Sequence, residues 1–284
     1  MTGILFWNTG IRESDLQNHP DKISRIEDAI VEIAAEYDCA VIVLAEFPVS
    51  TTGLCNQLSL TGKDFRERYA IVDKTRVKIL ADSFLVSEII RDSRYYVVHD
   101  FRIADYHFLL AGVHLPSKLH ANERDIQITG RQLIGAVREA ETEVNHQKVV
   151  IIGDFNANPF EDVIVDFDYL HAIFDSAVVE KIRFRVLYGE KRQIFYNPMW
   201  NLLGDHNDPK GSYYSESGKA CRLYWNIFDQ VIMSADFIRA YRKESLKIIT
   251  GISGRQFADR SGKPDASAYS DHFPLFFSFQ EDLL

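Results

Sequence analysis

The chain has 284 residues, 46% hydrophobic and 26% charged, which excludes a disordered or low-complexity protein and supplies ample core. Its 32 Lys and Arg against 41 Asp and Glu give a net charge of −9, so a broad basic surface tracking nucleic-acid phosphates is not expected, although bound divalent cations can supply positive charge locally. Cys39, Cys55 and Cys221 show neither CxxC nor disulfide spacing and are expected to be reduced thiols. Met1-Thr2-Gly3-Ile4 lacks the basic and apolar regions of a signal peptide, and no apolar run approaches about 18 residues, so a cytoplasmic protein without membrane spans is expected.

Ile4-Leu5-Phe6-Trp7-Asn8 is an apolar run ending in a polar residue, and predicts a first strand. Asp21–Tyr37 carries Ile23, Ile26, Ile30, Ile33 and Ala34 at helical spacing, with Pro20 at its start. A second apolar strand, Ala40–Ala45, ends at Glu46, so the chain begins as a βαβ unit. Thr51-Thr52-Gly53 predicts a turn. Tyr69–Val72, Val77–Leu80 and Ser83–Val86 predict three meander strands, followed by a pair over Tyr95–Arg102 and Tyr106–Val113, the second ending at His114. Asn122–Asn145 is a long helix with Ile126, Leu133, Ile134 and Val137 facing the core.

Val149-Val150-Ile151-Ile152 then runs into Gly153-Asp154-Phe155-Asn156. Four β-branched residues without alternation predict a strand buried on both faces. Gly153 lets the backbone turn or pass close to another segment. Asp154 and Asn156, two apart, point the same way if the backbone is extended; alternatively they close the strand in an Asx turn. Short helical pieces are expected at Glu161–Val165 and Tyr169–Phe174. Residues 188–220, rich in aromatic and turn residues (Phe195, Tyr196, Trp200, Tyr213, Tyr214), are expected to form a long surface loop that carries specificity. Ile227–Met233, with Asp229 inside it, Leu246–Ile249 and Phe273–Phe279 predict the last strands. No linker, repeat or composition break divides the chain, so a single domain over residues 1–284 is expected.

Asn8, Glu46, His114 and Asp154 each terminate an apolar run, and Asp271-His272 stands just before the last strand. Each alone has an ordinary explanation as a turn, surface or core residue; their recurrence at equivalent strand ends points to one shared site. Glu46 and Asp271, with Asn8, are hard oxygen donors suited to Mg2+ or Mn2+, and no Cys/His group has zinc spacing. His114 and His272 can move protons or stabilise charge near neutral pH. Asp229, a carboxylate inside an apolar strand, needs a cationic or donor partner and can orient His272. A hard metal with two histidines, an Asp and an Asn suits hydrolysis of a phosphate ester by water.

Trp7-Asn8, Leu44-Ala45-Glu46, Gly112-Val113-His114-Leu115, Gly153-Asp154-Phe155-Asn156, Phe228-Asp229-Gln230-Val231-Ile232 and Ser270-Asp271-His272 occur in the order found in the endonuclease/exonuclease/phosphatase superfamily, which the chain resembles over nearly its whole length. The resemblance implies an α/β fold, a four-layer αββα sandwich of two packed mixed sheets flanked by helices. It implies Glu46 as principal metal ligand, supported by Asn8 and Asp271, and Asp154 as the residue that positions or activates water. Asn156 would orient Asp154 or the phosphate, His272 held by Asp229 would contact the phosphate, and His114 would assist the leaving group. Arg131 on the long helix, and Tyr196 and Trp200 in the aromatic segment, are weaker candidates for contacts to substrate. DNA or RNA is the expected substrate; the alternatives are a small-molecule or lipid phosphate such as an inositol phosphate, or an inactive binding module. The chain departs from the family pattern at Ala45, where Gln is common, and at Asn226-Ile227-Phe228-Asp229-Gln230, where Arg-Ile-Asp-Tyr is common.

Overall fold

The computed structural model describes residues 1–118, 121–216 and 223–284. Two large sheets form its centre. In the first, the strand order is Tyr241–Ile248, Leu275–Phe279, β1 (Thr2–Asn8), β2 (Cys39–Ala45), β4 (Val77–Asp82) and β3 (Phe65–Arg68). In the second it is β5 (Val86–Asp92), β6 (Tyr96–Ile103), β7 (Tyr106–His114), β8 (Val149–Asp154), Asp229–Met233, Phe195–Tyr196 and Ala172–Ile173. Both are mixed: β1 runs parallel to β2 and antiparallel to Leu275–Phe279, while β8 runs parallel to β7 and antiparallel to Asp229–Met233.

The unbroken apolar runs of β1, β2 and β8 are buried on both faces, as their lack of alternation requires. One core cluster lies between the sheets and joins Leu5, Val43, Ile79, Leu110, Ile152 and Phe277. A second lies outside the seven-stranded sheet, beneath the helix Glu123–Val144. That helix starts in a reciprocal capping box between Asn122 and Asp125, worth about 1 kcal/mol, and ends at Asn145 in the left-handed region. The helix Pro20–Glu36 packs against β2 through Ile26, Ile30 and Ile33. The result is the αββα sandwich that the sequence predicts. No helix among the described residues is long and apolar enough to cross a membrane.

Several local expectations need correction. Residues 51–53 do not turn: Thr51–Ser59 is a helix, with Ser50 at its N-cap and Leu54 and Leu58 buried one turn apart. Tyr69–Val72 is not a strand but an exposed excursion, whose Ile71 and Val72 amides donate to the Asp92 carboxylate. Residues 83–85 form a turn closed by the Leu85 amide on the Asp82 carbonyl, and the chain there crosses from one sheet to the other. Tyr169–Phe174 is not helical, because Ala172–Ile173 pairs in parallel with Phe195–Tyr196. The segment from 188 is not a plain surface loop. It contains a hairpin strand (Glu190–Gln193), the sheet strand Phe195–Tyr196, which lies between Asp229–Met233 and the edge strand Ala172–Ile173, a 3-10 turn (Pro198–Leu202) and the short strand Tyr213–Tyr214. Residues 217–220 and Cys221 lie outside the described residues; Cys39 is in the core as expected.

Candidate active site

Strand direction explains why distant polar residues converge. β7 and β8 are parallel, so both end on the same side; Asp229–Met233 is antiparallel to β8, so it begins there. The register places His114 beside Asp154 and Asp154 beside Asp229, three functional side chains in one row across three strands. In the other sheet β1 and β2 end together, with Asn8 beside Ala45 and Glu46 next in the chain. The strand Leu275–Phe279 is antiparallel to β1, so Asp271-His272 enters from the same end. The Ser270 hydroxyl donates to the Asn8 carbonyl (2.7 Å) and the Trp7 indole donates to the His272 carbonyl (2.9 Å), tying that loop to β1.

Gly153 is required by this packing. A Cβ there would stand 2.0 Å from the Val113 carbonyl oxygen, so β8 reaches β7 this closely only with glycine. Beyond it, the strand ends at Asp154, and Asn156 adopts φ 49°. The same-face geometry of an extended chain therefore does not apply; the Asx turn does. The Asn156 amide donates to Asp154 Oδ1 (2.8 Å), and its side chain donates to the Leu115 carbonyl (3.0 Å). The Asn8 side chain donates to Asp154 Oδ2 (2.9 Å), so both oxygens of this fully buried carboxylate are held.

His272 is gripped through Nδ1 by Asp229, at 2.8 Å and 3.1 Å from the two carboxylate oxygens. Burial alone would lower the pKa of this ring, but the touching Asp229 carboxylate, aided by Asp154 and Asp271, raises it to about 10. His272 is therefore an imidazolium, and its Nε2 lies 3.9 Å from Asp154 Oδ2. Tyr213 packs against the ring with centroids 4.5 Å apart. His114 is the opposite case: burial, helped by Arg76 and His272, pushes it down to about 4 against the pull of Asp154, so it is neutral. Its Nε2 stands 3.5 Å from Glu46 Oε1 and 3.6 Å from Asp154 Oδ2, an arrangement that favours the proton on Nε2.

Glu46 has φ 49°, a left-handed conformation that costs a non-glycine residue about 1 kcal/mol or more. Its backbone is held on both sides: its amide donates to the Arg76 carbonyl and its carbonyl accepts from the Thr9 hydroxyl and the Ile11 amide. Burial and the facing Asp154 raise its pKa. Burial, opposed by the two histidines, raises that of Asp154. Carboxylates that face one another across a half-buried cleft, with Asp271 beside them, are a fit for a hard divalent cation. Glu46, with Asp271 and the remaining lone pair of Asn8 Oδ1, would hold it. Donor atoms of Asp154, Asp229 and His272 also lie within 4.8 Å of one another. That trio is already satisfied without a metal, because the protonated His272 occupies the buried Asp229.

The other sequence candidates lie differently. Arg131 is not brought to the row: its guanidinium pairs with Asp168 (3.7 Å) and covers Tyr169. Tyr196 is 4% exposed, in the core between the sheets, because its strand pairs with Met233; it has no free face for substrate. Trp200 packs between Phe160 and Phe174. Arg76 was not indicated by the sequence. It lies in the turn before β4, close enough to influence Glu46 and His114, and its guanidinium covers Tyr95. Only the fold brings it there. Asn158 was not singled out by the sequence; its side chain donates to the Asn226 side chain (2.9 Å). A cavity of about 540 Å³ opens beside it, lined among others by Lys118, Asn122, Phe160, Glu161 and Asn226.

No protein-family model matches the sequence, and comparison with curated proteins finds no relative. Solved structures do match. Zebrafish (D. rerio) TDP2, complexed with single-strand DNA product, superposes with a TM-score of 0.56 at 16% identity, covering 98% of this chain and 98% of that one. The human Nocturnin catalytic domain with bound sulfate gives 0.56 at 15% identity, covering 98% and 94%. A mannosyl-6-phosphatase of Bacteroides thetaiotaomicron gives 0.55 at 12% identity, covering 98% and 99%. The chain thus shares the fold of these proteins and of a Bacteroides thetaiotaomicron protein of the endonuclease/exonuclease/phosphatase family.

Proposed function

We propose that the protein is a divalent-metal-dependent phosphodiesterase that hydrolyses nucleic acid by in-line attack of water, with residues 1–284 acting as one catalytic domain. The observation that carries this reading is the row His114–Asp154–Asp229 with an imidazolium, His272, locked on Asp229 and facing Asp154. The two histidines have been driven to opposite protonation states by their surroundings, which divides the acid–base roles. His272, already cationic, cannot take a proton; it stabilises negative charge on the phosphate. Asp154, its oxygens aimed by Asn8 and the Asn156 amide, orients the attacking water and takes its proton. His114, neutral with its proton on Nε2, hydrogen-bonds the departing oxygen and stabilises the charge that develops there without giving up its proton. Mg2+ or Mn2+ on Glu46, Asn8 and Asp271 would supply Lewis-acid stabilisation of the phosphate oxygens.

Nucleic acid is favoured by an aromatic platform beside the cavity. Phe160 and Phe174 are 42% and 63% exposed on either side of Trp200, and exposed rings of this kind stack unpaired bases. The likeness to TDP2 in complex with single-strand DNA agrees with this. A second reading, a small-molecule phosphatase, is favoured by the cavity of about 540 Å³, a size that suits a small ligand. A panel of single- and double-stranded DNA, RNA, inositol phosphates and hexose phosphates, each with Mg2+ and Mn2+ and with Asp154→Ala as the blank, separates the two. The proposal expects turnover of single-stranded nucleic acid. Turnover of sugar or inositol phosphates alone selects the second reading, and failure on every substrate refutes both in favour of a binding module.

A further inference from the structure

A second group of ligand-type side chains lies at the opposite end of the seven-stranded sheet. Asp100 on β6 and His107 at the start of β7 are diagonal neighbours on the face that carries Leu109, since the register pairs Asp100 with Leu109 and Arg102 with His107. His146 follows Asn145, whose left-handed conformation (φ 57°) ends the long helix and swings the chain over the same face. His107 Nδ1 stands 3.4 Å from Asp100 Oδ2, and His146 Nε2 stands 3.2 Å from Asp100 Oδ1. All three donor atoms lie within 4.8 Å of one another. Glu88 faces Asp100 from the other neighbouring strand and is exposed.

We propose that Asp100, His107 and His146 form a binding site for a late first-row divalent cation of the zinc class, separate from the hydrolytic site, with Glu88 or water as the fourth ligand. Spacing favours this over a plain hydrogen-bonded cluster. Contacts of 3.2 and 3.4 Å are at or beyond the long limit of N–H···O bonds, whereas ligands about 2.0–2.1 Å from a tetrahedral ion stand about 3.3–3.4 Å apart. Two imidazoles with one or two carboxylates select zinc-class ions over Mg2+. Asp100 and His146 are largely buried, while the His107 side chain is 40% exposed and gives an ion access. Each ligand sits on a fixed element: two strands, and the junction between helix and β8, where the Leu109 amide donates to the Lys148 carbonyl (2.8 Å). Loading at His146 Nε2 places that ring's proton on Nδ1, so the weak 3.4 Å contact from the Lys148 amide must loosen. The position is remote from the chemistry: His107 and His114 are seven residues apart on one strand, about 23 Å. An ion here pins the β6–β7 hairpin to the helix–β8 junction, so it stabilises the fold without entering the reaction.

The test uses chelator-stripped full-length protein titrated with Co2+ and with Zn2+, followed by the visible Co2+ spectrum and by thermal melting. The wild type should bind an ion with the absorption of a tetrahedral nitrogen/oxygen site and melt several degrees higher with Zn2+. His107→Asn, a change at a half-exposed side chain that leaves the fold intact, and Asp100→Asn should each lose that spectrum and that shift. Glu46→Gln, which disables the hydrolytic site, should keep both. The inference is overturned if His107→Asn and Asp100→Asn bind Co2+ as the wild type does, if the signal disappears in Glu46→Gln instead, or if the wild type shows neither spectrum nor shift.

Discussion

Replacing Asp229 by Asn probes the central pair of the site. Asp229 is 0% exposed and both its oxygens meet His272 Nδ1, at 2.8 and 3.1 Å. The substitution keeps the shape and removes the charge. The ring then loses the contact that raises it to about 10, and burial, which lowers it, takes over. A fall to 6.5 or below spans more than three pH units, an upper bound of about 4–5 kcal/mol at about 1.36 kcal/mol per unit; breaking a buried pair typically costs about 3–5 kcal/mol. The sign follows from linkage. A histidine whose pKa is raised by folding contributes its full stabilisation below about pH 6.5 and loses it as pH climbs through about 10. Urea unfolding in chelator should therefore show the wild type losing stability across this window. The Asp229→Asn deficit should be about 3 kcal/mol near pH 6 and shrink toward pH 10. A deficit that does not change with pH, or no deficit, refutes the assignment of His272 as an imidazolium held by Asp229.

Asp154→Ala and His272→Ala should each lower phosphodiester hydrolysis by about a hundredfold or more, with a native circular-dichroism spectrum; full activity in either refutes the mechanism. Gly153→Ala forces a Cβ to within 2.0 Å of the Val113 oxygen and should cost about 3 kcal/mol or more in a denaturant melt; a wild-type midpoint would show that β7 and β8 are not packed this closely. Glu141 is raised to about 7, chiefly by burial and against the Gln193 and Arg138 contacts, and its Oε1 has no hydrogen-bond partner. It stays neutral in the fold while it ionises in the unfolded chain, so its favourable contribution is complete below about pH 4.5 and is lost as pH rises through about 7. Glu141→Gln should accordingly be more stable than the wild type at about pH 8, by up to about 3 kcal/mol, and no more stable near pH 4. Equal melting points at pH 8 would contradict this.

His114 and Asp154 were legible because a polar residue closing an apolar run marks a strand end, and strands of a two-layer sandwich present their ends together; Asp229 was legible because a carboxylate within an apolar run needs a partner, although its strand begins at Asp229 and not at Ile227. Glu46 and Asn8 were legible for the same reason. Hidden from the sequence was whatever depends on pairing between distant segments. Tyr196 has the composition of a substrate-stacking residue, yet its pairing with Met233 turns it into core. Arg76 reaches the site only because the turn before β4 lies against Glu46. Tyr213 meets His272 through an isolated bridge between segments far apart in the chain. Asn156 illustrates a local limit: spacing of two suggests a shared face, but a left-handed residue redirects the side chain to the Leu115 carbonyl. At residues 51–53 Gly53 suggests a turn, but the Leu54–Leu58 spacing drives a helix.

The most direct test of the account is hydrolysis of single-stranded DNA by exhaustively chelated protein, before and after addition of Mg2+ or Mn2+, in parallel with Glu46→Gln. The account predicts no product from the stripped enzyme, restoration by either ion, and a loss of about a hundredfold or more in Glu46→Gln at every ion concentration. Hydrolysis that survives chelation, or that Glu46→Gln performs as well as the wild type, would contradict a metal-dependent reaction centred on Glu46.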